Sequence, residues 1–481
     1  MTKLITKLCC AFLLCCMFSS ISQAQQWQIL GSQSTDATPK PIGIIADSVL
    51  HISMAVSPQE VPYIAFVNTA NDNKVSVMRY NAAGGWEAVG AAGISAGAAA
   101  ATSIAIAAEG TPYLYYRDMT AANLSKGVVM KFNGTAWETV GNQATLQAEG
   151  ATIDWPVIAT NPEGIPFIAH RQTSHDTKPV NYRKFDAATG DWVSIGLFNW
   201  QNSNTPPEQH TIFFSNDGRL HWAGKDFSRS SVRIYSGEGE VWTRPGGTGN
   251  ITTGANGATG TSHDNIPYLL YRESQAINRD NLTLWRFTGT GPLANGWELV
   301  GPANFSGNNV ANANVAVTND GTPLVAYETG GRSRAIMKSF NSTTNDWQNV
   351  AAPWGDTLSQ GVADYTEMTK GPQGNIYVAF SDVALHGKPV VLQYKLGTTT
   401  SAAKELDKKA DVQVYPNPSA SSFRFTAAGK FSYTVYNNSG QVMERGQGMG
   451  ESEFGTALRA GLYFVQLQTE VGNRTLKLLK Q

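Results

Sequence analysis

A cationic side chain recurs roughly every fifty residues in the middle of this chain, at Arg117, Arg171, Lys225 and Arg272. Each cation stands five residues after a position at which the surrounding repeat usually carries proline. A guanidinium group can bind a carboxylate or a sulfate through two parallel hydrogen bonds. If the four cations converge in space, they could therefore bind an anionic sugar.

Aromatic or imidazole side chains precede most of these cations, and polar side chains follow them. Because an aromatic face stacks on the apolar side of a pyranose, the pattern suits carbohydrate. The same slots could instead hold neighbouring repeats together, for example through an Arg117–Asp118 ion pair. The predicted ligand-binding residues are Tyr116, Arg117, Lys225, Arg272, Glu273 and Tyr327, joined by Trp155 and His175 from adjoining loops.

His170 is the candidate for proton transfer among the seven histidines of the chain. A neutral imidazole near pH 7 can accept a proton, Arg171 could neutralise an anionic substrate, and Tyr271 could return the proton. The plain alternative is a packed histidine without a catalytic role. His51 and His210 begin strands and could face the same cavity.

Carboxyl groups offer a second kind of chemistry. A glycosidase needs two of them across the scissile bond, and Asp154, Asp364 and Glu367 follow loops that could reach one face. Whether the protein is an enzyme therefore stays open, with elimination on a uronate favoured over hydrolysis.

A recurring sequence motif predicts the strands that position these residues. Tryptophan begins the motif Trp-x-x-(Val/Ile/Leu)-Gly, or a near variant, at about fifty-residue spacing, which is the length of one four-stranded propeller blade. The seven tryptophans are Trp27, Trp86, Trp137, Trp192, Trp242, Trp297 and Trp347.

The second repeat illustrates the predicted blade. Its strands are Ser103–Ala107, Pro112–Asp118, Val128–Phe132 and Trp137–Val140. Asn133-Gly134 between the last two predicts a type I′ hairpin turn, in which both central residues have positive φ.

The phase of the repeat predicts ring closure. The chain opens with only a fourth strand, Trp27–Leu30, and its last repeat stops near Leu396 without one. Joining the two fragments removes the open sheet edges. We therefore predict an all-β fold with a seven-bladed β-propeller over residues 25–397, closed by its N-terminal strand. Second-strand ends and first-strand starts should line the face that binds ligands.

Residues 1–24 are predicted to be a signal peptide. Lys3 and Lys7 precede the apolar run Leu8–Phe18, and Ser22-Gln23-Ala24 resembles a cleavage site. All four cysteines lie in this segment, so the mature chain should have neither disulfides nor thiolate chemistry. No other stretch is long and apolar enough to span a bilayer.

The formal net charge of −1 gives no support for nucleic-acid binding. No cofactor or metal site is predicted, although the acidic-amide turns Asn71–Asn73 and Asn278–Asn281 could hold a structural calcium ion. Ordinary turn formation also explains those residues.

A linker is predicted over residues 398–410, followed by a small β-sandwich over residues 411–481. This tail resembles the C-terminal sorting domain of the type IX secretion system of Bacteroidetes-type bacteria. The resemblance implies export through that machinery, and then release or attachment at the cell surface. The motifs that carry it are Tyr415-Pro416-Asn417-Pro418, Tyr436–Gly440, Ala460–Tyr463 and the terminal Lys477–Lys480.

The repeats resemble the sialidase-like secreted propellers at the level of pattern. Ser215-Asn216-Asp217-Gly218 departs from the sialidase Asp-box because its glycine comes one position early, and no sialidase catalytic set can be carried over. Propeller-fold polysaccharide lyases are similar in using His, Tyr and Arg. We expect a secreted or cell-surface propeller that binds glycans, with a lyase or glycoside hydrolase as the alternative. A scaffold for surface proteins is a third reading.

Overall fold

The computed structural model describes residues 26–31, 45, 47–83, 85–147, 151–174, 179–198, 210–226, 231–238, 241–243, 255–273, 280–291, 296–307, 309–330, 333–396, 414–437, 441–469 and 472–481. Contacts group Gln25–Leu396 into one unit and place Gly397–Gln481 in another. The predicted signal peptide and linker lie outside the described residues, as do His175 and the first two residues of the Asn278–Asn281 turn. Within the described ranges, no helix has the length and apolar character to cross a membrane.

The larger unit consists of seven four-stranded antiparallel sheets, which are the predicted blades. After β1 (Gln26–Ile29), the strands are β2 (Val49–Val56), β3 (Pro62–Asn68), β4 (Lys74–Asn81) and β5 (Gly85–Ala88) in blade 1; β6 (Ala99–Ile106), β7 (Pro112–Asp118), β8 (Lys126–Phe132) and β9 (Trp137–Thr139) in blade 2; β10 (Ile153–Thr160), β11 (Pro166–Gln172), β12 (Val180–Asp186) and β13 (Asp191–Phe198) in blade 3; β14 (His210–Phe214), β15 (Leu220–Asp226), β16 (Ser231–Glu238) and β17 (Val241–Thr243) in blade 4; β18 (Ala255–His263), β19 (Ile266–Glu273), β20 (Leu282–Gly291) and β21 (Gly296–Leu299) in blade 5; β22 (Ala311–Val317), β23 (Pro323–Glu328), β24 (Ala335–Asn341) and β25 (Asp346–Asn349) in blade 6; and β26 (Ala363–Lys370), β27 (Ile376–Asp382) and β28 (Lys388–Lys395) in blade 7.

Strand β1 completes blade 7, so the predicted ring closure is confirmed. It pairs antiparallel with β28, from Gln26 opposite Lys395 to Ile29 opposite Leu392. The Trp27 ring packs against Tyr394 with 4.7 Å between centroids. The first strands of all seven blades contact one another in turn around the ring and enclose a central channel of about 700 Å³.

The tryptophan phrase joins each blade to the one before it. The indole nitrogen donates a hydrogen bond to a main-chain carbonyl at the end of the phrase in the preceding blade. Five such bonds are Trp86 to Leu30 (3.1 Å), Trp137 to Val89 (2.7 Å), Trp192 to Val140 (2.8 Å), Trp347 to Val300 (3.1 Å) and, across the closing joint, Trp27 to Ala351 (2.7 Å).

The glycine of the phrase is required by the same joint. Gly90 has φ of +81°, and a Cβ there would lie 2.9 Å from Cδ1 of Trp137. Gly141 has φ of +65°, and a Cβ there would lie 3.0 Å from Cδ1 of Trp192. Left-handed backbone and the approach of the next indole both favour a residue without a side chain.

The Asn133-Gly134 hairpin differs from its predicted turn type. Gly134 has φ of +98°, whereas Asn133 is not among the residues with positive φ. The amide of Asn133 donates to the carbonyl of Ala136 at 3.0 Å, so Gly134 is the first central residue of the turn. Type I′ was therefore wrong, since only the first central residue is left-handed, as in type II′.

The C-terminal unit is a separate five-stranded β module. Its strands are β29 (Val414–Tyr415), β30 (Phe423–Asn437), β31 (Val442–Phe454), β32 (Gly461–Thr469) and β33 (Gly472–Lys480). Its core is aromatic and aliphatic, and includes Phe423, Phe425, Phe454, Val465 and Leu478, each at most 2 % exposed.

Candidate functional site

A strained β-bulge recurs near the start of the first strand in five blades. At each bulge one residue is left-handed, with φ between +44° and +57°, and its side chain lines the channel. Bulges re-aim side chains, and left-handed residues other than glycine concentrate at functional sites. The five residues are His51, Ala101, Trp155, Asn312 and Tyr365.

Trp155 is the exposed aromatic residue of this set. It has φ of +50° and keeps 40 % of its surface accessible, in contrast to the buried indoles of Trp192 and Trp347 in the blade joints. Asp154, directly before it, pairs in register with Arg171 across β10 and β11. The bulge therefore presents a flat ring beside a charged group at the mouth of the channel.

Asp154 bridges two of the predicted cations. Its Oδ1 accepts from Nη1 of Arg117 at 3.1 Å, and its Oδ2 accepts from Nη2 of Arg171 at 2.9 Å. The side chains of Arg117 and Asp154 remain 23 % and 25 % exposed. Arg117 thus pairs between blades, as the structural alternative predicted. Its partner is Asp154 rather than Asp118, which instead accepts the amide of Thr120.

His51 and Tyr365 form an adjacent ring pair across the joint of blades 7 and 1. Their ring centroids are 5.1 Å apart at an interplanar angle of 55°. Burial, reinforced by the positive charge of Arg117, lowers the pKa of His51, while Asp154 and Asp364 oppose the shift. The imidazole is therefore neutral at neutral pH and half-buried at the channel mouth.

Arg272 also lines the channel, on the side of blade 5. Its Nη1 donates to the carbonyl of Val310 at 3.2 Å and lies 3.9 Å from Oδ1 of Asp280. Glu273 is half-buried beside it. Lys225 lies in β15, but its side chain falls outside the described part of the structure. The structure thus brings Arg117 and Arg171 together at Asp154, while Arg272 has partners of its own.

The aromatic slot is a packing position. Tyr116, Tyr271 and Tyr327 are only 3 %, 6 % and 0 % exposed and belong to the hydrophobic clusters between blades. The hydroxyl of Tyr327 donates to the carbonyl of Ser306 at 3.2 Å. These three rings are too deeply buried to stack on a sugar, because the pleat of β7, β19 and β23 directs them between sheets.

His170 is also a core residue. It is fully buried, and its Nδ1 lies 2.8 Å from the hydroxyl of Tyr115 in the neighbouring blade. Burial lowers the pKa of His170 to about 3. With Tyr271 buried in another blade and Arg171 held by Asp154, the predicted catalytic trio is not assembled around one accessible point.

Two carboxyl groups of blades 6 and 7 complete the surroundings of the channel. Glu328 is fully buried, and its Oε1 accepts from Nδ2 of Asn312 (2.9 Å) and from the amide (3.1 Å) and hydroxyl (2.8 Å) of Thr366. Glu367 lines the channel, and burial raises its pKa to about 8. Glu328 therefore holds the joint under the mouth, whereas Glu367 faces the enclosed space.

The described residues contain no group of three or more His, Cys, Asp or Glu side chains that could hold a metal ion. Asn71 and Asp72 form a turn in which the amide of Lys74 donates to the carbonyl of Asn71 at 2.8 Å. Asp72 and Asn73 have positive φ, so turn formation accounts for the choice of these polar residues.

Comparison with solved structures returns propellers of low similarity. The Aleuria aurantia lectin is 11% identical with a TM-score of 0.41, over 63% of this chain and 96% of the lectin. The polysaccharide lyase Uly1 is 14% identical with a TM-score of 0.43, over 72% and 89%. An oligogalacturonate lyase from Vibrio parahaemolyticus is 9% identical with a TM-score of 0.47, over 78% and 98%. Likenesses this low identify no function for the chain.

A comparison with curated proteins finds no match. Residues 413–481, however, match the family described as secretion system C-terminal sorting domain. The match confirms the predicted resemblance of the tail and indicates export through type IX secretion, to the medium or the cell surface. After its seven-bladed propeller in sequence, the chain thus carries a C-terminal sorting domain of this secretion system.

Proposed function

We propose that the exported propeller binds carbohydrate at the mouth of its central channel. The observation that carries the proposal is Trp155, an accessible indole on a strained bulge, next to a carboxylate held by two arginines. Aromatic faces stack on the apolar side of a sugar ring, and forks of charged groups bind its hydroxyl or acidic substituents.

The charge of this group favours a sugar that bears an anion. Arg117 and Arg171 contribute two positive charges, and Asp154 neutralises one of them. Arg117 is the more exposed of the two arginines, at 23 % against 10 %. It could therefore turn a free N–H toward a carboxylate or sulfate while Arg171 keeps Asp154 in place. An acidic polysaccharide is the ligand class that this arrangement suits.

Replacing Trp155 by alanine should weaken retention on acidic polysaccharide by about tenfold or more, because the stacking surface is lost. Affinity electrophoresis in gels that contain uronate-rich or sulfated polymers measures the effect. Leu124→Ala is the matched control, since Leu124 is 58 % exposed in the loop between β7 and β8, on the same face. Equal retention of the Trp155 variant and the wild type would contradict the assignment of the site.

The His51–Tyr365 pair favours a second candidate, a lyase acting on uronate polymers. His51 would take the proton from C5 while Arg117 neutralises the uronate. The C5 electron pair would then form the C4–C5 double bond as the C4–O bond breaks, and the Tyr365 hydroxyl would protonate the leaving oxygen. These two residues replace His170 and Tyr271 in the role, because they line the channel.

For this candidate, incubation with uronate polymers should produce unsaturated sugars, measured by their ultraviolet absorbance. His51→Ala and Tyr365→Phe should each reduce the rate by about a hundredfold or more, since each removes one proton-transfer group. His170→Gln should retain activity if it folds. A flat absorbance trace with every polymer, from protein that still binds polysaccharide, would eliminate the lyase and leave the binding function. A hydrolase would then be sought with a reducing-end assay.

A further inference from the structure

The longest strand edge of the sorting domain is open. Strand β31 is thirteen residues long and pairs along its length with β30. On its other side, no strand of the described tail pairs with it. An open edge of this length presents a row of main-chain N–H and C=O groups to solvent.

The opposite end of the sheet is partly covered. Ser419 forms a bridge with Lys480, its amide donates to the carbonyl of Leu479 at 2.9 Å, and its carbonyl accepts from the amide of Gln481 at 2.8 Å. Oδ1 of Asn417 accepts from the amide of Leu479 at 2.9 Å. The segment before β30 thus protects the end of β33, and β31 has no such cover within the described residues.

The composition of β31 keeps its edge available. It contains neither proline nor lysine, two of the residue types that protect edge strands. Its charged residues Glu444, Arg445, Glu451 and Glu453 flank the uncharged stretch Gly446–Met449, which lies between the two register shifts of the β30–β31 pairing. Gly446 and Gly448 lie directly on aromatic rings, since a Cβ would come within 2.5 Å of Tyr433 and Phe431 respectively. Met443 and Met449 alternate onto the outer face and are 45 % and 73 % exposed. Over Gly446–Met449 the edge is therefore uncharged and in continuous register with β30, and it ends in an exposed methionine.

We propose that the edge of β31 is the surface by which the export machinery recognises this module, through addition of an extended strand from a machinery protein. The added strand would pair with the free main-chain groups of β31 and place apolar side chains beside Met443 and Met449. The proposal depends on the sorting-domain assignment and is independent of carbohydrate binding by the propeller. A machinery strand is favoured over other occupants because a sorting domain must be bound by the system that exports it.

The test is export of the full chain from a bacterium with type IX secretion. Gln447→Lys together with Met449→Lys places two charges on the outer face of the edge, which should reduce the exported fraction about tenfold while the melting midpoint of the purified chain stays unchanged. Gln466→Lys, at an exposed position on the internal strand β32, is the matched control and should be exported normally. Met449→Thr should reduce export less than the double-lysine change does, because it removes one apolar contact but adds no charge.

Normal export of the double-lysine variant would overturn the proposal, as would an equal loss for Gln466→Lys. If the double variant fails to fold, Met443→Lys repeats the test at the start of the strand. The purified wild-type chain could be a dimer that the two lysines convert to a monomer without changing export. That result would show that a second copy of the chain occupies the edge instead. Polysaccharide retention, measured on the same variants, separates failure of this proposal from failure of the propeller site.

Discussion

Gly90→Ala should destabilise the propeller by about 3 kcal/mol, whereas Gly85→Ala should cost about 1 kcal/mol. The two glycines have nearly equal φ, +81° and +85°. A Cβ at Gly85 meets nothing within 4 Å, while one at Gly90 lies 2.9 Å from the Trp137 ring. The backbone strain is therefore common to both variants. The difference between their losses in unfolding free energy reports the clash of the new Cβ with Trp137.

Trp137 has little freedom to retreat, because its Nε1 donates to the carbonyl of Val89 at 2.7 Å. Relieving the clash would lengthen this bond and open a gap in the apolar joint. Denaturant unfolding of both variants gives the two free energies. Equal losses of stability would show that the indole adjusts without penalty and that the glycine of the phrase serves the turn alone.

Glu367→Gln should stabilise the protein at pH 8 by about 3 kcal/mol and flatten its stability between pH 4.5 and pH 8. The channel raises the pKa of this carboxyl from 4.5 to about 8. In that window the unfolded chain has released the proton that the folded chain retains, so stability falls as pH rises. Below the window both states are protonated, and above it both are ionised, so the pH dependence ends on either side.

Thermal melts of wild type and Glu367→Gln across pH 4 to about 9 test this expectation. Glu163→Gln, in an exposed turn of blade 3, is the control and should leave the pH profile unchanged. Because Glu367 is only partly buried, the stabilisation is smaller than the full change in pKa from 4.5 to about 8 would give. A variant profile parallel to that of the wild type would mean that Glu367 ionises normally in the folded protein.

The blade architecture could be predicted because one short motif contains the residues that form the contact between neighbouring blades. In Trp-x-x-Val-Gly the tryptophan contacts the preceding blade and the glycine accepts the following one, so a single motif records both contacts. The missing fourth strand after Leu396 then required Trp27 to supply it. Strand positions followed from period-two alternation and turn residues. For most strand ends, the predicted and observed bounds differ by no more than three residues.

The site could be predicted only in part, since its geometry depends on bulges that have no sequence signature. The left-handed conformations of His51, Trp155 and Tyr365 occur at residues that rarely adopt it, so composition does not reveal them. Asp154 reaches Arg117 of the preceding blade because the bulge shifts its register. His170 shows the converse, since its residue type suits catalysis but the pleat of β11 directs it into the core.

Because β1 completes blade 7, this blade can form fully only after all the other blades have folded. The bond between Trp27 and Ala351 spans 324 residues, so its two partners meet only when every intervening blade occupies its place. Without β1, the outer edge of β28 stays open although its inner edge still pairs with β27, and Leu392 and Tyr394 lose their neighbours in β1. The open edge of this single strand therefore distinguishes an unfinished ring from a finished one.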